Sequence, residues 1–113
     1  MDYEGLPLIT REEYRRTFQT GSPAEARVAL LRVVLHDADH DWAEGECCAA
    51  LRDPRKDVRL AGAMGLAHLA RLSRRLGPRA LSLLHELRNT PELGGYVEDA
   101  LDDLMVFGPS DEQ

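Results

Sequence analysis

Two stretches of the chain gather side chains that could do chemistry. In "YVEDALDDLMVF", residues 96–107, four acids stand among apolar residues: Glu98, Asp99, Asp102 and Asp103. At helical spacing Val97, Ala100, Leu101 and Leu104 form one stripe, which leaves the acids on the opposite face. Like charges at i,i+4, as in Glu98–Asp102 and Asp99–Asp103, repel by roughly a few tenths of a kcal/mol each. The last 25 residues hold no Lys or Arg to relieve them. Such a face could dock a basic partner. It could also be a solvated surface, since early acids favour a helix N-terminus in any case. The second stretch, "HDADHDW" at 36–42, sets His36 and His40 four apart among Asp37, Asp39 and Asp41. Imidazole and carboxylate are metal ligands. The segment bridges two helices, however, so the i,i+4 geometry is not expected to persist. A polar loop with an Asp cap is expected instead, with neither metal nor cofactor.

Other reactive types find no arrangement. No Ser stands with His and Asp in a strand–turn setting, and no glycine-rich phosphate loop is present. Cys47 and Cys48 are adjacent, and side chains at i and i+1 diverge on a helix, so they cannot bridge each other. No second pair completes a zinc site. Small packed residues in a reducing cytosol are the expected reading. On the helical wheel His68 falls between Ala61, Met64 and Leu72, a place for a packed histidine. His85 with Glu86 is a weak pair. No catalytic residue emerges, and an enzyme is not expected. Trp42, the single Trp, either plugs a seam between helices or anchors an interface. Large aromatics are mostly buried, which favours the plug. Arg59 is expected to pair with Asp53 or Asp57. Arg71, Arg74, Arg75 and Arg79 straddle a helix end, where the dipole favours cations.

Helices must position all of these residues, and six can be read. Thr10 with Glu13 forms a capping box, and Ile9 with Tyr14 a hydrophobic staple. They open a helix over about 11–19. Ser22, Pro23 and Glu25 open a second, to about His36. A third runs over about 41–52, capped by Asp39 or Asp41. The fourth covers about 55–76, ended by Gly77 and Pro78, and the fifth about 78–89. "TPELGG" reads as a loop before a sixth helix at about 96–107, ended by Gly108 and Pro109. The fourth helix carries Gly62 and Gly65 in its interior, each costing roughly 1 kcal/mol against Ala. It is apolar or small nearly all round from Val58 to Ala70, so neighbours must enclose it on several sides.

The chain has 113 residues, 43% hydrophobic but only 5% aromatic, a Leu, Ala and Val vocabulary that suits helices. No apolar run approaches the roughly 20 residues of a membrane span. No secretory signal opens the chain, so the cytoplasm is the expected compartment. The net charge is −6, a poor fit to nucleic acid and a better one to a basic partner. Residues 51–88 carry 9 bases and 3 acids, whereas 89–113 carry 7 acids and no base. The expected domain is 10–108, with an N-terminal extension at 1–9 and a disordered tail at 109–113. Helices 1 with 2, 3 with 4 and 5 with 6 are expected to pair. Their period is irregular but lies in the range of helical solenoids.

"DPRKDVRLAGAMGLAHLARL" resembles the second half of a HEAT repeat. Asp53 and Pro54 stand in the turn, Val58-Arg59 opens the second helix, and Ala61 and Leu66 follow. More narrowly, Asp41-Trp42, Cys47, "GLAHLAR" at 65–71 and "GYVEDALDDLMVF" at 95–107 resemble small bacterial HEAT-like immunity proteins of polymorphic or contact-dependent toxins. The likeness covers roughly 22–108; the first helix and "TPELGG" depart from an ideal repeat. It implies an all-α, short α-solenoid of about three HEAT-like antiparallel helix pairs. It also implies an immunity protein that neutralises a cognate toxin, here a basic domain, by direct binding. Glu98, Asp99, Asp102, Asp103 and Trp42 are the candidate protein-binding residues. The alternative is a HEAT scaffold or adaptor without a toxin partner, since fold alone does not fix function. An enzyme-associated repeat of the kind seen beside bilin lyases is a more remote one.

Overall fold

The computed structural model describes residues 7–73 and 75–107, without the side chains of 94, 103 and 105–107. The expected tail at 109–113, the Gly108-Pro109 stop and Arg74 lie outside these residues. Among the described residues six α-helices follow one another: α1 (Arg11–Thr20), α2 (Pro23–His36), α3 (His40–Ala50), α4 (Lys56–Ser73), α5 (Pro78–Glu86) and α6 (Gly94–Phe107). No strand occurs among the described residues. None of these helices is long and apolar enough to cross a membrane.

Local chemistry sets the helix starts. Both expected capping boxes form, Thr10 with Glu13 and Ser22 with Glu25. They satisfy backbone donors that the first turn leaves free. Asp39, not Asp41, caps α3 by accepting from the Trp42 amide at 3.0 Å. The ends deviate more. α5 stops at Glu86 because Leu87–Asn89 fold into a turn. α6 starts at Gly94, two residues early, because fully buried Leu93 offers its carbonyl to the Val97 amide. Burial of that leucine overrides the glycine-rich loop signal.

α2, α4 and α6 pack in series; α1 lies on α2, α3 on both α2 and α4, and α5 on α3 and α6. α4 therefore has neighbours on three sides, and its glycines face two of them. A methyl at Gly62 would stand 2.8 Å from the Cys47 carbonyl oxygen of α3. At Gly65 it would stand 2.5 Å from Cys47 Sγ and 3.1 Å from Val34 Cγ2 of α2. Gly62 lets the α3 backbone approach, Gly65 makes room for the Cys47 thiol and the Val34 methyl, and the packing gained offsets their helix cost. One core runs through the helices, from Tyr14 by way of Leu30, Cys47, Leu66 and Leu84 to Val97.

Candidate functional site

On α6 the stripe of Val97, Ala100 and Leu101 is buried, as the wheel requires. The acids on the other side do not form one uniform face. Glu98 accepts from Arg88 Nε at 2.9 Å, so a cation ten residues earlier relieves it. The same pair raises the Arg88 pKa, with a smaller contribution from Asp102. Asp102 borders a groove against α5 with Leu81, His85, Arg88, Leu101 and Leu104. Asp99 turns the other way, into a cleft against α4. The Asp103 side chain lies outside the described residues. Absence of Lys and Arg from the last 25 residues thus does not mean absence of counter-charge, because α5 and its turn bring Arg88 across.

Trp42 stands on α3, half-buried, and packs on α1 rather than near α6. Tyr14 meets it edge-on with ring centroids 5.8 Å apart, and the Arg11 guanidinium lies 3.9 Å over its ring. Arg11 also bonds Asp37 at 2.9 and 3.0 Å, which holds the Asp37 carboxyl below the usual carboxylate range. Trp42 therefore packs in the seam that ties α1 to the α2–α3 turn, away from the α6 acids. Beside it the Tyr14 hydroxyl donates to Glu46 at 2.8 Å; burial, then that carboxylate, push the phenol pKa up.

The remaining reactive groups serve to join helices. His40 Nδ1 lies 3.1 Å from Ser73 Oγ, linking α3 to the end of α4. Glu44 accepts from the Gly77 amide at 2.9 Å and so caps the approach to α5. Both line a broad polar cleft of about 660 Å³ with Asp41, Arg75 and Leu76. Among the described residues no His, Cys, Asp and Glu group could hold a metal ion. Cys47 and Cys48 are free and buried. Burial pushes both thiols up, and so away from the reactive thiolate. Arg59 forms a structural ion pair, but with Glu92 at 2.8 Å rather than with Asp53 or Asp57. Asp53 is taken by Arg55, and Arg59 donates instead to the Asp53 and Pro54 carbonyl oxygens. Glu92 comes from the α5–α6 turn, where residue spacing along α4 could not point.

Sequence reasoning read the His68 side of α4, shared with Met64 and Leu72, as a packed one, and the structure leaves it partly open. Leu60, Met64, His68 and Leu72 recur every four residues, and all keep some exposure. The i,i+4 recurrence was the signal; a helix apolar on every side hid it. Burial, then the Arg71 charge, lower the His68 pKa, so its neutral form is favoured in the fold.

No family model matches the chain, and no curated protein does. One solved structure does: a chain of a CDI complex from Cupriavidus taiwanensis LMG 19424. It is 25% identical with a TM-score of 0.73, covering 95% of this chain and 97% of that one.

Proposed function

We propose that the chain is an immunity protein, a short α-solenoid of three HEAT-like helix pairs that neutralises a cognate bacterial toxin by direct binding. The observation that carries this reading is the near end-to-end likeness to a chain of a CDI, or contact-dependent inhibition, complex. That likeness spans all six helices rather than one motif. The net charge of −6 supports the immunity side of such a pair and a basic toxin domain opposite it. Binding, not catalysis, is the proposed activity, and the cytoplasm is its place. Asp99 and Asp102 on α6 are the acids we assign to capture of that basic domain, since Glu98 is already engaged by Arg88.

Co-expression with a cognate toxin domain tests the reading. The chain should restore growth and co-purify with the toxin domain. Reversing Asp99→Lys and Asp102→Lys should leave helix content unchanged but slow association, and the wild-type rate should fall as salt rises. A chain that neither protects nor binds leaves the scaffold reading in its place. Full-rate binding by the double reversal makes the acids a solvated surface.

A further inference from the structure

The α4–α6 groove carries more than charge. α4 is covered by α2, α3 and α6, and the stripe of Leu60, Met64, His68 and Leu72 lies on what remains. Leu72 is 52% exposed and Tyr96 of α6 is 38% exposed. Leu8, before α1, is the only other large hydrophobic so exposed among the described residues. Between the helices is a cleft of about 140 Å³, lined by Met64, Ala67, His68, Arg71, Tyr96 and Asp99. Small-molecule pockets run to about 300–1,000 Å³, so this cleft is sized for one side chain. Its walls combine a methionine, an aromatic ring and an arginine, the types enriched where proteins meet. Asp99 is exposed at its rim and joins no ion pair among the described residues.

From this we infer that the α4–α6 groove seats an apolar side chain of the toxin domain, flanked there by a lysine or arginine that meets Asp99. The inference rests on the immunity reading and names its contact. Tyr96 and Met64 form the walls of the seat, exposed Leu72 continues the α4 stripe beyond the cleft, and Asp99 selects the cation beside it. Anchors of this kind act mainly on dissociation, whereas the acids act on association.

Surface-immobilised toxin domain and purified chain give both rates. Tyr96→Ala and Leu72→Ser each change an exposed side chain, so each should fold as the wild type does by thermal melt. Tyr96→Ala should raise the dissociation rate by about tenfold or more, the size of a typical anchor loss. Leu72→Ser should raise it less, and Leu8→Ser, remote from the groove, should leave it unchanged. Unaltered dissociation in both groove variants, with the wild type bound, overturns the groove alone and spares the immunity reading. A wild-type chain that fails to bind overturns both. Self-association of the wild type that Tyr96→Ala abolishes, with toxin binding intact, overturns the inference in favour of a second copy.

Discussion

α3 and α4 face each other, and each contains a glycine that a helix would ordinarily avoid. At Gly62 and Gly65 of α4 an added methyl meets the Cys47 backbone or thiol within 2.8 Å. At Gly45 of α3 it meets nothing within 4 Å. The residue type, the helical setting and the propensity cost are shared; the neighbour is not. A helical glycine is therefore a packing device only where a neighbouring helix comes close, by its backbone at Gly62 and by its buried side chains at Gly65. On the solvent side of α3 it is an uncompensated cost. The same contrast holds around α4 itself, whose glycine side is closed by α3 and α2 while its Met64–Leu72 side stays open.

The largest test fills the closed side. Gly65→Leu should overpack the α2–α3–α4 junction and cost about 3 kcal/mol or more, read by urea denaturation. Unchanged stability would mean that the seam yields and the contrast is false. Next comes the turn that sets how α3 meets α4. Asp53 accepts from Arg55 Nε and Nη2 at 2.9 Å each and from its amide at 2.8 Å. Arg55 in turn donates to the Phe18 carbonyl of α1. Asp53→Asn should cost about 1.5–2 kcal/mol, the worth of a charged hydrogen bond. The pH dependence has a definite sign. The Arg55 guanidinium holds the Asp53 carboxyl below its ordinary 3.8, so the unfolded chain binds that proton more readily. The contribution is complete above that value and is lost as pH falls through the lower folded one. Acid titration of stability should therefore be shallower in Asp53→Asn below about pH 4. The smallest effect lies on the open side: Gly45→Ala should raise stability by about 0.5–1 kcal/mol, seen as a higher melting temperature. A loss there would show a neighbour at Gly45 that the fold does not place.

Much of this architecture is legible in the chain because its signals are local. Thr10–Glu13 and Ser22–Glu25 are capping boxes whose partners lie three residues apart, and helix starts follow from them. The enclosure of α4 is legible too, since glycines amid apolar residues demand close neighbours. The acids of α6 were legible as residues but not as a site. A wheel orders side chains around one axis and is blind to what other elements bring.

By itself the sequence determined the helices, their order, and the inward stripe of α6, because capping bonds and i,i+3 and i,i+4 spacing act within one helix. The tertiary structure alone decided which charges meet. It sent Glu92 rather than Asp53 to Arg59, brought Arg88 to Glu98, and turned Asp99 away from Asp102 into a groove with Tyr96 and Met64. Each of these depends on how two helices or a turn lie against each other. That arrangement is set by packing at Gly62, Gly65 and Leu93, over distances that no local spacing encodes.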